Sequence, residues 1–169
     1  MSEYIFIKGN VISRGRFSSV YHCTLNGESS IYKVGVEYGQ RTILNEINVL
    51  KKLDNKYIIK PLVLNYEQNS FITEYKGDDL FKFINSNTVD KNEKIKILEQ
   101  IIEGVLHIHS NKVCHLDLKL ENIVYNGFYI TIIDFGLSHI YIDNNYNMLH
   151  NLYFQIGRSI LDKQLSNHL

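Results

Sequence analysis

The stretch His115-Leu116-Asp117-Leu118-Lys119-Leu120-Glu121-Asn122, followed further along by Asp134-Phe135-Gly136, decides how the rest of the 169-residue chain is read. Between the two lie short apolar runs, Ile123 to Tyr125 and Tyr129 to Ile133, joined by Asn126-Gly127, a hairpin signal. A hairpin there folds Asp134 back beside Asn122, the proximity that two oxygen ligands of one divalent cation require. Singly, an Asp, an Asn and a second Asp are residues that cap turns. Their order and spacing together lift the stretch above that plain reading.

Working outward, the first third alternates apolar and polar residues in short runs: Tyr4 to Ile7, Val20 to Leu25 and Ile31 to Val34. Asn26-Gly27 separates the last two, so an antiparallel meander is expected. From Gln40 the period changes: Ile43, Ile47 and Leu50 form one stripe, widened by Leu44 and Leu53, as a helix packed on a sheet requires. Two strand-like runs follow, Ile58 to Leu64 and Phe71 to Glu74, with the single proline, Pro61, placing the first at an edge or a strand entry. After Gly77 the character turns helical. Asp90 with Glu93 resembles a capping box opening a helix through roughly His109, whose apolar residues nearly encircle it and predict a central, buried position. Asp143 to Asn147 reads as a loop and Leu149 to Leu165 as a final amphipathic helix.

Eighteen basic and eighteen acidic residues cancel, so bulk charge points to neither nucleic acid nor an anionic membrane. The stretch Ile95 to Ile108 carries Lys96, Glu99, Gln100, Glu103 and His107, too polar for a bilayer span. Cys23 and Cys114 fit neither a zinc site nor a disulfide framework, and no signal peptide opens the chain. A soluble, intracellular, cytoplasmic protein is expected. His107, His109 and His115 lack a carboxylate or cysteine to complete a metal set and are assigned to packing.

The stretch His115 to Asn122 and Asp134-Phe135-Gly136 resemble the H-R-D-L-K-x-E-N catalytic-loop and D-F-G metal-loop motifs of the eukaryotic protein kinase superfamily. The resemblance implies an α+β fold, an antiparallel sheet lobe with one helix over residues 1–76 and a shortened, mainly helical lobe over 77–169. It implies ATP and Mg²⁺ in the cleft between them. By the same resemblance Asp117 orients and deprotonates the acceptor hydroxyl, Lys119 balances charge near the transferred phosphate, and Asn122 with Asp134 holds the metal. Lys33 falls on the strand whose lysine contacts the α- and β-phosphates, and Glu46, on the first helix, is its ion partner.

Ile12 to Val20 looks like the phosphate-covering loop, with Ser13, Gly15 and Ser18 at the three usual glycine positions and Val20 above the base. Phe71 to Leu80 resembles the hinge between lobes. It places Thr73 behind the adenine and the backbone of Glu74, Tyr75 and Lys76 beside it. Ile31 and Val124 complete the ring sandwich, Ile31 being bulkier than the usual alanine.

Leu116 replaces the arginine that receives an activation-loop phosphate, which argues against that form of switching. No A-P-E segment follows Gly136 within Leu137 to Leu169, so the usual helical substrate-binding part is expected to be missing, a layout similar to RIO-type kinases. Asn151 stands where those kinases commonly have an Asp. The leading expectation is an ATP-dependent protein serine/threonine kinase, with a protein substrate. A kinase-shaped binding or inhibitory module acting on a partner kinase, and a small-molecule phosphotransferase, are the alternatives.

Overall fold

In the computed structural model, which describes residues 4–141, turn chemistry sets the register of the first sheet. Asn26 and Gly27 take left-handed angles (φ 52° and 86°), as a tight hairpin demands, and join β2 (Ser18–Leu25) to β3 (Glu28–Gly35) with Leu25 opposite Glu28. β1 (Phe6–Arg14), β4 (Pro61–Asn65) and β5 (Ser70–Glu74) complete a five-stranded sheet in the order β1-β2-β3-β5-β4. Pro61 therefore opens an edge strand, where its missing N–H costs no ladder bond. The strand expected from Ile58 begins only at Pro61. Tyr57 to Ile59 turn instead to the second half of the chain: Ile59 N donates to Ile132 O (3.1 Å) and Ile132 N to Tyr57 O (2.8 Å).

α1 (Gln40–Leu50) buries Ile43, Ile47, Val49 and Leu50 on one face, with Ile43 and Ile47 packed around Phe71 of β5. Removing each such side chain from water stabilises the fold by about 1.5–3 kcal/mol. From β5 the chain passes through Tyr75, Lys76 and Gly77 into β6 (Asp78–Asp79), which pairs with β8 (Ile123–Tyr125), itself paired with β9 (Ile130–Ile132); the two-residue β7 (Val113–Cys114) lies between β6 and β8 in the chain. Gly77 has φ 108°, and a Cβ there would stand 2.3 Å from the Tyr125 carbonyl oxygen, so the crossing requires glycine. Asp79 accepts from Lys82 N (2.9 Å) and caps a short α2 (Leu80–Ser86).

Asp90 caps α3 (Lys91–Ser110) by accepting from Glu93 N at 2.9 Å. The Glu93 carboxylate accepts from the Tyr125 hydroxyl (3.1 Å). Burial and that carboxylate push the Tyr125 hydroxyl up to about 12. Ile97, Ile101, Val105 and Ile108 face the largest core, with Ile123, Ile130, Ile132 and Phe135. The expectation of a buried central helix is corrected: Ile95, Leu98, Ile102 and Leu106 are 41–54% exposed. They form a second stripe at helical spacing that stays open among the described residues, because apolar residues all round a helix are buried only where neighbours exist on every side. β7 pairs with β10 (His139–Ile140). The expectations for Asp143 to Asn147, for Leu149 to Leu165 and for Asn151 lie outside the described residues. Among the described residues no helix is long and apolar enough to cross a membrane.

Candidate active site

Alternation along the first sheet sends Tyr32 and Ile72 to the outer face, and Val20, Ile31, Lys33 and Thr73 to the inner one. On that inner face the Lys33 ammonium meets Glu46 Oε2 at 2.7 Å and Asp134 Oδ1 at 2.8 Å. Glu46 is 1% exposed among the apolar residues of α1, and its Oε1 accepts from Phe135 N (3.1 Å). Burial opposes the charge on Lys33, but the two carboxylates outweigh it and raise its pKa, so the ammonium persists. At Asp134 burial is likewise overcome by Lys33, which holds the carboxyl below its usual range, whereas at the deeper Glu46 burial wins and pushes the carboxyl up.

Asn122 is set by a 3-10 turn, Leu120–Asn122. Its Nδ2 donates to the Asp117 backbone oxygen (2.8 Å) and to Asp117 Oδ2 (2.9 Å), which also accepts from Lys119 Nζ at 2.9 Å. The amide oxygen of Asn122 is thereby turned away from Asp117. Ile133 N donates to Asn122 O (3.0 Å), so the hairpin through Asn126-Gly127 brings the residue next to Asp134 against Asn122. Leu116 and Asp134 both have left-handed backbones (φ 65° and 64°), conformations that cost a non-glycine residue about 1–3 kcal/mol and that surrounding bonds must hold. His115 supplies such bonds between the two loops. It is 1% exposed, its Nδ1 accepts from Asp117 N (3.3 Å), and its Nε2–H therefore donates to Ile133 O (2.9 Å). Burial lowers its pKa, which keeps this tautomer neutral.

A cavity of about 350 Å³ opens between the five-stranded sheet and the β8–β9 hairpin. Ser13, Val20, Ile31, Lys33, Thr73 to Lys76, Asn122, Val124 and Asp134 line it, as does Glu46 at its back. The family model for the protein kinase domain matches residues 6–154. The chain belongs to that family.

Similar proteins are named as kinases. The chain is 32% identical to "Probable serine/threonine-protein kinase 2" of Plasmodium falciparum, over 85% of this chain and 31% of that protein. It is 35% identical to "Myosin light chain kinase 3" of Rattus norvegicus, over 83% of this chain and 20% of that protein. To the "Carbon catabolite-derepressing protein kinase" of Candida glabrata it is 30% identical, over 79% of this chain and 23% of that protein. It thus spans a third or less of the length of these relatives.

Within this kinase domain, Gly15 and Ser18 do not line the cavity; Gly15 N donates to Ser18 O (2.9 Å) and closes the turn between β1 and β2. Asp117 and Lys119 lie beside the cavity, reached through Asn122. Sequence reasoning missed His22 and Ile59 on the wall, and Asp78, Asp79 and Glu121 at its mouth. His22 was findable, being two residues beyond Val20 on the same strand face.

The donor chemistry fits Mg²⁺. Among the described residues no three His, Cys, Asp or Glu side chains gather to cage a metal. A small hard cation held by one carboxylate, one amide oxygen and the oxygens of a bound phosphate needs no such cage. Asp134 and Asn122 are the residues that would hold it.

Proposed function

We propose that this kinase domain transfers the γ-phosphoryl group of ATP to a serine or threonine hydroxyl of a protein. The observation that carries the reading is the convergence of Lys33 on Glu46 and Asp134, in one cavity with Asn122. In this reading Lys33 binds phosphate oxygens, and its ion pair with Glu46 fixes its direction. Backbone groups of Glu74 and Lys76 offer hydrogen bonds to a base, the Tyr75 N–H being spent on the Ser29 carbonyl, between Val20 and Ile31 on one side and Val124 on the other. Asp117, aligned by Asn122 and Lys119, orients the acceptor O–H and takes its proton as the oxygen bonds to the γ-phosphorus; the bond to the β-phosphate oxygen breaks and ADP leaves. Bound Mg²⁺ would neutralise phosphate charge in this step. Lys119, two residues after Asp117, supports serine or threonine as acceptor. Buried free thiols at Cys23 and Cys114 support an intracellular setting.

The test is transfer of radiolabelled γ-phosphate to a generic protein or to the chain itself, comparing the native sequence with Asp117→Ala. Loss of signal in the variant by at least about 10²-fold is expected from removing a positioned base. Equal signal from both eliminates the role given to Asp117. Nucleotide binding without any transfer favours a kinase-shaped binding module.

A further inference from the structure

Lys33 and Glu46 account for part of what holds the Asp134 loop; the backbone beyond it is held by a residue with no role so far. Asn45 immediately precedes Glu46 on α1. Its Nδ2 donates to the Gly136 carbonyl (3.1 Å) and to the Ser138 carbonyl (2.8 Å), using both hydrogens of one amide. Glu46 Oε1 meanwhile accepts from Phe135 N (3.1 Å). Gly136 is buried so closely that a Cβ on it would lie 2.5 Å from Thr42 Cγ2. Thr42, Asn45 and Glu46 stand at i, i+3 and i+4, which is one helical face. That face grips the chain from Phe135 to Ser138, and Ser138 Oγ passes the grip on to the His115 carbonyl (3.1 Å), next to the loop that carries Asp117.

We propose that Asn45 is a positioning residue that locks α1 to the Asp134 loop, so that the two move as one body and Asp134 is held where it takes a magnesium–nucleotide. The proposal rests on the phosphotransfer reading of the site. The physics is specific to an amide. An aspartate of the same shape removes both donors and sets a carboxylate against two carbonyl oxygens. Glutamine offers the same donors one methylene further out, and serine withdraws them without adding charge.

The experiment is calorimetric titration of the full chain with ADP, with and without Mg²⁺, alongside amide hydrogen exchange of residues 135–140 with no ligand. The native chain, Asn45→Asp, Asn45→Gln and Asn45→Ser are compared; Asn45→Ser carries the comparison should Asn45→Asp not fold. ADP alone is expected to bind all variants within about twofold, since Asn45 does not line the cavity. The gain in affinity from Mg²⁺ falls about tenfold in Asn45→Asp, the effect of two lost hydrogen bonds, and is partly regained in Asn45→Gln. Exchange at Phe135 and Ser138 quickens in step. An unchanged Mg²⁺ gain in Asn45→Asp and Asn45→Ser overturns the proposal. A native chain with no Mg²⁺ gain overturns the phosphotransfer reading instead, and the exchange rates then decide the lock alone: faster in the variants upholds it, unchanged removes it.

Discussion

Replacing Lys33 by methionine tests the electrostatics of the site most severely. The apolar stem is kept, one atom shorter overall, but the ammonium between Glu46 at 2.7 Å and Asp134 at 2.8 Å is gone. At an effective dielectric of about 20, each contact is worth about 6 kcal/mol of Coulomb attraction, most of it offset by taking the charges out of water. What remains is the cost of leaving a carboxylate buried and unpaired, about 3–5 kcal/mol. Glu46 bears it, being 1% exposed, while Asp134 keeps access to solvent.

Burial already pushes the Glu46 carboxyl up, and losing Lys33 pushes it further. A group with a raised folded pKa favours the folded state below its unfolded value and loses that contribution as pH rises through the folded one. The deficit of Lys33→Met is therefore largest at neutral pH and shrinks toward pH 4.5, the ordinary value for this carboxyl. Urea denaturation of the native chain and the variant at pH 7 and pH 5 reads it directly. A destabilisation of about 3 kcal/mol at pH 7, smaller by about 1 kcal/mol or more at pH 5, is expected. A loss under about 1 kcal/mol at pH 7, or one that does not change with pH, would mean that Glu46 is not left as a buried, unpaired carboxylate.

Three further outcomes follow from particular contacts. Gly136→Ala drives a Cβ to 2.5 Å from Thr42 Cγ2 and should destabilise the fold by about 1–3 kcal/mol, with Thr42→Ser restoring much of it; thermal melts of the single and double variants check the coupling. His115 is held neutral, its pKa depressed by burial, so its contribution is complete above 6.5 and is lost as pH falls through the lower folded value; His115→Gln should flatten that acid limb of the stability profile. Ile31→Ala widens the slot beside Thr73, its cross-strand partner, and should tighten ADP binding in a calorimetric titration while costing about 1–2 kcal/mol of stability; unchanged affinity would show that Ile31 does not crowd the base.

Much of the fold was legible because turns and caps are local chemistry. Asn26-Gly27, Gly127, Asp90 and Pro61 each mark an element end, by a left-handed backbone, a capping carboxylate or a missing donor, and each stands there in the structure. The two-residue strands β6, β7 and β10 were not legible, being too short for alternation to register. The outward stripe of α3 was misread because a sequence lists apolar residues without saying which neighbours arrive. At the site, Lys33, Glu46, Asn122 and Asp134 were visible as a motif whose parts the hairpin and α1 bring together. Asn45 and Gly136 were not, since their partners are carbonyl oxygens and a threonine methyl group. Backbone partners leave no residue type in the pattern to be noticed.

The phosphotransfer reading requires Asn122 and Asp134 to grip a cation beneath phosphates that also touch Lys33. A crystal structure with a non-hydrolysable ATP analogue and Mg²⁺ measures this without reference to turnover. A metal is expected about 2.0–2.1 Å from the Asn122 amide oxygen and an Asp134 carboxylate oxygen, with Lys33 Nζ in hydrogen-bond contact with phosphate. A nucleotide bound outside the cavity, or a metal that touches neither side chain, would contradict it.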